Sequence, residues 1–385
     1  MHKSKQIWPS TELKFGFKTK GDFGHYLKQE TKHDHPDSHC RPSYAGQNPR
    51  LSLFGRLAIL GISSQHVADL ETTIKKTGGG VDLILETGDL SEEDCLKLLN
   101  VGGALMLCNA SAADAFETIP MDRTVHCLDV DTPDQAIPKN HLVRMADPQS
   151  SRIAELEMAR VDCLIDAEFL VENNDVVTSF FEQVLVSDRP DGLWSTVIVD
   201  PLGVALGLAY SNAESLAYAI ENRVGTYYSR SRDGLWIKGE TSGATQQLLG
   251  IRFDCDRDCL QFRVTQSAPG FCHRDTYTCF GQYRSIQTVM QRLIERINDS
   301  DPKSFTRKLA NDAAMLETKL LEEAKELSEA SQADDDYEIA WEAADVLYFS
   351  LVAMLKNGVT LDRVYDELSR RMNRVVRRKN KLEKE

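Results

Sequence analysis

The segment QLLGIRFDCDRDCLQFRVTQ, residues 247–266, determines how the middle of this chain is interpreted. Both of its ends are rich in apolar residues, as in two strands, and three aspartates and a cysteine lie between them within residues 254–258. On an extended segment alternate side chains share a face, so Asp254, Asp256 and Asp258 would point one way and Cys255 the other. Carboxylates suit Mg²⁺ and thiolates suit Zn²⁺, so the segment predicts two metal sites. The alternative is an acidic turn beside buried thiols.

Length and composition limit the possible classes of protein. A chain of 385 residues predicts two or three domains, and a net charge of -14 argues against a general nucleic-acid binder. No apolar run reaches the roughly 18 residues of a membrane span, and the N-terminus lacks the apolar core of a signal peptide. The nine scattered cysteines are typical of reduced thiols, which predicts a cytoplasmic protein.

The chain divides into four parts by its sequence patterns. Residues 1–50 are polar and predict a disordered or irregular tail. Residues 51–185 alternate short apolar runs with helical stretches such as Ser91–Leu99, which predicts an α/β domain of unknown role with parallel strands. Residues 186–284 predict a strand-rich α+β domain, and residues 285–385 an all-α domain. The strands expected in the α/β domain are 57–62, 81–85, 104–108, 125–130 and 163–165.

Three cysteines of the strand-rich domain are candidate zinc ligands. Cys255, Cys272 and Cys279 together would leave one zinc position open for a water molecule, which becomes a hydroxide nucleophile near neutral pH. His273 neighbours a ligand and is the candidate for moving protons. A closed structural zinc site, with His273 or Cys259 as the fourth ligand, remains the rival interpretation.

Upstream of these residues lies a segment with the chemistry of phosphate recognition. Positive charge, hydroxyl donors and glycine are combined in YYSRSRDGLWIKGETSG, residues 227–243. Trp236 could stack on a base, although an aromatic residue in a strand is as often part of the core. The other candidates are Arg230, Arg232, Lys238, Thr241 and Ser242.

The segments 227–243, DCDRD at 254–258 and CHRDTYTCFG at 272–281 together resemble phosphoribosyl-AMP cyclohydrolases, over roughly residues 190–284. The resemblance implies hydrolytic opening of the adenine ring between N1 and C6, with zinc held by the cysteines and magnesium by the aspartates. It also implies a homodimer in which Cys255 of one subunit completes the zinc site of the other.

A second group of acidic residues lies on two predicted helices, residues 316–330 and 337–356. Their spacings of three and four residues place the acids of each helix on one face. A solvated acidic face is the common fate of such a charge run. Here the second helix is apolar around its acids, which predicts partial burial and a need for metal or another partner. The acids, which could form a Mg²⁺ cage, are Glu322, Glu323, Glu326, Glu342 and Asp345.

This acidic pattern resembles the all-α pyrophosphohydrolases related to MazG, and residues 303–375 are similar to phosphoribosyl-ATP pyrophosphohydrolases. The resemblance implies cleavage of phosphoribosyl-ATP to phosphoribosyl-AMP and pyrophosphate. Glu322 and Glu323 are the expected catalytic carboxylates, and Arg307 and Lys319 the expected phosphate contacts. The product of this reaction is the substrate of the cyclohydrolase.

From about residue 51 the chain resembles the leading part of the fungal trifunctional histidine-biosynthesis proteins. It ends in RRMNRVVRRKNKLEKE, so we expect no dehydrogenase part. There are two alternatives to a bifunctional enzyme: a metal-stabilised scaffold that has no catalytic activity, or an enzyme in which one of the two activities works. Zinc-dependent nucleobase deamination is disfavoured because the H-x-E … P-C-x-x-C signature is missing.

Overall fold

The computed structural model divides into two compact units, Met1–Gly281 with Asp366–Glu385, and Gln282–Tyr365. None of the described helices is long and apolar enough to cross a membrane. The structure describes residues 13–18, 55–60, 62, 64–77, 83–88, 90–108, 116–129, 141–145, 149–159, 161–166, 174–281, 285–299, 301, 303–333, 335–372 and 374–375.

The first unit begins with a closed barrel of parallel strands. Consecutive strands pair in chain order, and the barrel closes where the first strand pairs with the seventh. Parallel neighbours need crossover connections, and helices occupy several of them. The strands are β1 (Leu13–Lys18), β2 (Gly55–Leu60), β3 (Leu83–Glu86), β4 (Gly103–Cys108), β5 (Thr124–Asp129), β6 (His141–Met145) and β7 (Asp162–Asp166).

The α-helices among the described residues of this region are α1 (Val67–Thr77), α2 (Glu92–Val101), α3 (Ser150–Met158) and α4 (Asn174–Val184). Short 3-10 turns lie at Ser64–His66 and Met121–Arg123. Ser91 caps α2 as the sequence predicts, because its side chain accepts a hydrogen bond from the N–H of Asp94. A cluster of buried residues, one from each of β3 to β7, forms an apolar layer; it consists of Ile84, Leu107, Val125, Leu142 and Leu164.

Two elements of the barrel differ from the sequence-based expectation. The range 1–50 was assigned to an irregular tail, yet it contains β1, whose sequence LKFGFK alternates apolar and polar or small residues. Such alternation is a strand signal, and a polar surrounding sequence obscures it. β6, HLVRM, is a second strand that the sequence patterns did not indicate, because it carries two basic residues among only three apolar ones.

The strand-rich part of the first unit is a sheet of six strands in the order β11-β10-β9-β8-β13-β12. β8 and β13 run parallel, while the other neighbours are antiparallel. The strands are β8 (Trp194–Val199), β9 (Ala205–Ser211), β10 (Thr226–Ser229), β11 (Gly234–Ile237), β12 (Gln246–Phe253) and β13 (Cys259–Gln266).

One helix and one core cluster support this sheet. Helix α5 (Ala213–Asn222) follows β9 and begins at Asn212, whose side chain forms a reciprocal capping box with Ser215. The core cluster includes Phe180 and Phe181 of α4, and both rings contact the ring of Phe253 on β12. The last barrel helix is therefore part of the same core as the sheet.

The segment Asp254–Asp258 is a turn, which corrects the prediction of an extended segment. β12 ends at Phe253 and β13 begins at Cys259, so the two strands form an antiparallel hairpin. Arg257 has a φ of 68°, in the left-handed region that turns use and strands do not. Strand alternation therefore cannot separate the aspartates from Cys255.

The second unit is helical, as the sequence predicts. This unit ends at Tyr365, whereas the sequence patterns placed all of 285–385 in one domain. The helices are α6 (Ile286–Asn298), α7 (Phe305–Asn311), α8 (Ala313–Ala333), α9 (Asp336–Leu355) and α10 (Leu361–Met372).

Candidate active sites

The loop that follows β13 brings two cysteines of the predicted zinc site to the same place. Its two sides are joined by the N–H of Phe271 donating to Tyr277 O at 3.1 Å, and the N–H of Cys272 to Thr276 O at 3.1 Å. The N–H of Cys279 donates to a carbonyl of β9 at 2.8 Å, which ties the end of the loop to the sheet. The thiol of Cys279 then hydrogen-bonds with that of Cys272.

The two thiols differ in their protonation preference. Hydrogen bonds from the backbone N–H of Arg274 and the Thr276 side chain lower the pKa of Cys272, since they stabilise its thiolate. Partial desolvation of its sulfur raises the pKa of Cys279, although the residue is exposed, and the charge of Cys272 raises it further. Cys272 therefore loses its proton more readily than Cys279, and a metal ion that binds both sulfurs would displace their protons.

One chain supplies two of the three expected zinc thiols. Within the part of the chain that the structure describes, Cys272 and Cys279 join no set of three Cys, His, Asp or Glu ligand atoms within 4.8 Å of one another. Cys255 is exposed in the Asp254–Asp258 turn, and Cys259 is only half-buried on β13. His273 is exposed, with Nδ1 at 4.0 Å from the Cys272 Sγ. The geometry leaves the two thiols open to a ligand from outside the loop.

Lys238 lies beside the thiols and is buried, although the sequence predicts a phosphate contact for it. Its ammonium donates to Ala244 O at 3.1 Å and lies 5.4 Å from the centroid of the Phe271 ring. Burial lowers the pKa of Lys238, and the charges of Cys279 and Cys272 oppose that shift. This lysine places a positive charge next to the thiol pair.

A buried carboxylate outside the predicted site holds the cysteine loop in place. Asp200, which follows β8, is fully buried and accepts a hydrogen bond from the Tyr277 hydroxyl at 2.8 Å. Its other oxygen accepts the N–H groups of Leu202 and Val204 at 2.9 and 2.8 Å. Sequence reasoning missed this link because Asp200 and Tyr277 are far apart in the chain.

The three aspartates of the hairpin turn form a compact cluster. A carboxylate oxygen of each of Asp254, Asp256 and Asp258 lies within 4.8 Å of the others. Burial raises the pKa of Asp258, and the charges of Asp254 and Asp256 raise it further. Asp254 shapes the turn by accepting the N–H groups of Asp258 and Cys259 at 3.1 and 3.2 Å. The cluster exists as predicted, but a turn produces it.

The predicted phosphate contacts fall into different environments. Arg230 and Arg232 are exposed in the turn between β10 and β11, and Thr241 and Ser242 are exposed as well. The Trp236 ring packs against the core, 5.6 Å from the Tyr227 ring centroid, which agrees with the core interpretation.

Three of the five predicted acids of the helical unit meet between α8 and α9. Carboxylate oxygens of Glu323, Glu326 and Glu342 lie within 4.8 Å of one another, and Glu323 is buried. Burial raises the pKa of both Glu323 and Glu342, and neighbouring carboxylates, including Asp345, raise it further. Like charges held this close need a proton or a cation between them.

One atom in this cluster indicates that the cluster can bind a cation. The Oε2 of Glu342 is buried and has no hydrogen-bond partner among the described residues. A buried carboxylate oxygen without a donor is costly, and a divalent ion satisfies it. The oxygen-only donor set suits Mg²⁺.

The other predicted residues of the helical unit lie around the cluster. Lys319 forms ion pairs with Glu322 at 2.7 Å and with Glu323 at 3.7 Å. Glu322, predicted as a metal ligand, is thus paired with a lysine and lies outside the cluster of three. Arg307 is half-buried on α7.

Comparison with known proteins relates both site segments to enzyme families. The sequence matches the phosphoribosyl-AMP cyclohydrolase family over residues 207–281 and the phosphoribosyl-ATP pyrophosphohydrolase family over residues 286–372. A histidine biosynthesis bifunctional protein of Schizosaccharomyces pombe is 32% identical over 364 residues, covering 82% of this chain and 86% of that relative. A bifunctional relative from Bacillus subtilis is 37% identical over 197 residues, covering 48% of this chain and 94% of the relative.

A longer relative covers the chain as well. The histidine biosynthesis trifunctional protein of Saccharomyces cerevisiae is 34% identical over 339 residues, or 88% of this chain. The matched region is 40% of that relative, so the chain spans less than half the length of this protein.

Proposed function

Because the chain belongs to the family of histidine biosynthesis bifunctional proteins, we propose that it catalyses two consecutive hydrolyses. The first cleaves phosphoribosyl-ATP to phosphoribosyl-AMP and pyrophosphate. The second opens the adenine ring of phosphoribosyl-AMP between N1 and C6. The observation that carries the proposal is that each family segment contains its own preassembled ligand set: two thiols with three aspartates, and three glutamates.

The glutamate cluster is proposed to hold magnesium for the first reaction. Glu323, Glu326 and Glu342 supply the oxygen ligands, and Asp345 adds negative charge beside them. Bound Mg²⁺ would neutralise the charge that develops on the phosphates and favour ionisation of a nearby water. Lys319 is placed to exchange its pair with Glu322 for a phosphate oxygen. Arg307 is a further phosphate contact in this proposal.

The cysteine loop is proposed to hold zinc for the second reaction. Cys272 and Cys279 bind it from one subunit, and Cys255 completes the set from a second copy of the chain. Zinc bound by three thiolates would polarise the water that attacks C6. The exposed His273 is the group proposed to deliver a proton to N1.

The remaining residues of this site complete the proposal. Asp254, Asp256 and Asp258 hold magnesium, and Arg230, Arg232, Thr241 and Ser242 face the substrate's phosphates or ribose. Lys238 balances the charge of the thiolates from its buried position. No disulfide joins the cysteines that the structure describes, and reduced thiols support a cytoplasmic location.

The direct test supplies phosphoribosyl-ATP with Mg²⁺ and Zn²⁺ and follows pyrophosphate release and ring opening separately. We expect both products. Removal of zinc by a chelator should stop ring opening while pyrophosphate continues to form. Pyrophosphate without ring opening in the zinc-loaded protein contradicts the cyclohydrolase proposal, and ring opening that survives zinc removal contradicts the role of zinc.

A further inference from the structure

Two arginine side chains contact the ring of one tyrosine on β9. None of the three residues belongs to the cysteine, aspartate or glutamate groups described above. The Cζ of Arg230 lies 4.1 Å from the centroid of the Tyr210 ring, and the Cζ of Arg189 lies 4.4 Å from it. Tyr210 is half-buried, and its backbone pairs with Tyr228 of β10. A ring fixed in the sheet in this way restrains two side chains that are otherwise flexible.

The two arginines differ in their charge balance. Arg189 donates through Nε and NH2 to the two carboxylate oxygens of Asp191, at 2.9 and 2.7 Å, so its charge is neutralised. Arg230 is exposed and has no carboxylate partner among the described residues. The positive charge available at the Tyr210 ring is therefore that of Arg230.

The turn that carries Arg230 is itself ordered and rich in donors. The hydroxyl of Tyr228 donates to Asp233, whose φ of 54° closes the turn. The hydroxyls of Ser229 and Ser231 lie 3.4 Å apart on either side of Arg230 in the sequence. A planar guanidinium flanked by hydroxyl groups is the donor arrangement that phosphate accepts.

We propose that Tyr210 is a positioning residue, whose ring holds the guanidinium of Arg230 ready for a phosphate group of the nucleotide. A side chain that is restrained before binding loses less conformational entropy when the ligand arrives. At a partly exposed site this contact strengthens phosphate binding by about two- to fivefold. The identity of the nucleotide, phosphoribosyl-AMP, rests on the proposed function, whereas the contact itself does not.

The test is a double-mutant cycle. Tyr210→Leu removes the ring, and we expect it to raise KM for phosphoribosyl-AMP about two- to fivefold with kcat unchanged. Tyr210→Phe keeps the ring and should behave like the wild type. When Arg230→Gln is already present, Tyr210→Leu should have no further effect.

Arg232 provides the matched control, since it is exposed in the same turn and has no ring contact among the described residues. In the Arg232→Gln background, Tyr210→Leu should keep its full effect. Circular dichroism and thermal unfolding check that each variant is folded.

A binding measurement separates this proposal from the proposed function. The Kd of AMP, measured by calorimetry for the same variants, should follow the same cycle even if the wild type opens no ring. Three results would overturn the proposal: equal effects of Tyr210→Leu with and without Arg230, a loss with Tyr210→Phe as large as that with Tyr210→Leu, or no AMP binding by the wild type.

Discussion

Glu342 has a buried carboxylate oxygen through which protonation and metal binding would both affect stability. That oxygen has no hydrogen-bond donor among the described residues, and Glu323 and Glu326 lie next to it. Burial raises the pKa values of Glu323 and Glu342, and repulsion from the neighbouring carboxylates raises them further, so without a cation the cluster tends to retain protons. Magnesium would take over the role of the proton at neutral pH.

The sign of the resulting pH dependence follows from the raised pKa values. A carboxyl group whose pKa is higher in the folded than in the unfolded protein binds more protons when folded, so stability falls as pH rises. In EDTA we expect the thermal stability of the helical unit to fall as the pH rises above about 4.5, the ordinary pKa of a glutamate. Adding Mg²⁺ at neutral pH should restore it, since the ion binds only the folded cluster.

Two variants isolate the contribution of the cluster to this pH dependence. Glu342→Gln replaces the buried charge with a neutral group of the same shape, so both the pH slope and the Mg²⁺ effect should shrink. Glu329→Gln alters an exposed glutamate of α8 that pairs with Lys325, and it should leave both unchanged. Thermal unfolding measures both effects, and a wild type that is insensitive to Mg²⁺ at every pH would contradict the cation site.

At the scale of single residues, helical spacing predicts which acids lie close together better than it predicts which partner each acid contacts. The spacing of the acids on α8 and α9 places Glu323, Glu326 and Glu342 together, as the structure confirms. The same spacing cannot reveal that Glu322 points to Lys319, because that choice depends on the side-chain rotamer and the neighbouring cation.

At the scale of elements, the hairpin between β12 and β13 shows why the sequence predicted a cluster of three aspartates correctly but assigned it to a strand instead of a turn. The pattern D-x-D-x-D has the period of a strand, but the same residues also form turns. Here the Asp254 side chain accepts two backbone N–H groups and closes a turn, which an alternation argument does not consider. The spacing of the carboxylates was predictable, whereas the direction of Cys255 was not.

The position of the loop after β13 depends on a hydrogen bond to a residue far away in the sequence. The Tyr277 hydroxyl donates to the buried Asp200, and this bond joins the cysteine loop to the turn between β8 and β9. Removing the donor leaves a buried carboxylate oxygen unsatisfied, which costs about 1–3 kcal/mol. The loop would then hold Cys272 and Cys279 less firmly.

We therefore expect Tyr277→Phe to reduce the free energy of unfolding by about that amount, 1–3 kcal/mol, and to weaken zinc binding severalfold. Competition with a chromophoric chelator measures the zinc affinity. Tyr218→Phe, on α5, is the control, because no hydrogen bond of its hydroxyl is found among the described residues. Wild-type stability and zinc affinity in Tyr277→Phe would show that the Asp200 contact does not support the loop.

At the scale of the whole molecule, the sequence predicts the succession of parts better than their boundaries. Apolar runs indicate most strands of the barrel. They do not indicate β1, because it lies in a polar stretch of the chain. The division into α/β, strand-rich and helical parts follows from local periodicity. Closure of the barrel by β1 and β7 depends on contacts between distant residues, which periodicity does not report.

The proposed homodimer can be tested by mixing two inactive proteins. Cys255→Ser lacks the thiol given to the other subunit, and Cys272→Ser lacks a thiol of the loop. In a mixed dimer one of the two zinc sites is complete, so random mixing should restore about a quarter of the wild-type ring-opening activity. If mixing restores none although subunits exchange, Cys255 does not act across the interface.

The central claim is that two separate metal sites carry out consecutive hydrolyses, and one assay with two variants tests it most directly. Phosphoribosyl-ATP is supplied to Cys272→Ser and to Glu323→Gln, and phosphoribosyl-AMP is quantified together with pyrophosphate. We expect Cys272→Ser to release pyrophosphate and accumulate phosphoribosyl-AMP, whereas Glu323→Gln releases none but still opens the ring of added phosphoribosyl-AMP. Loss of both activities in either folded variant would contradict the claim.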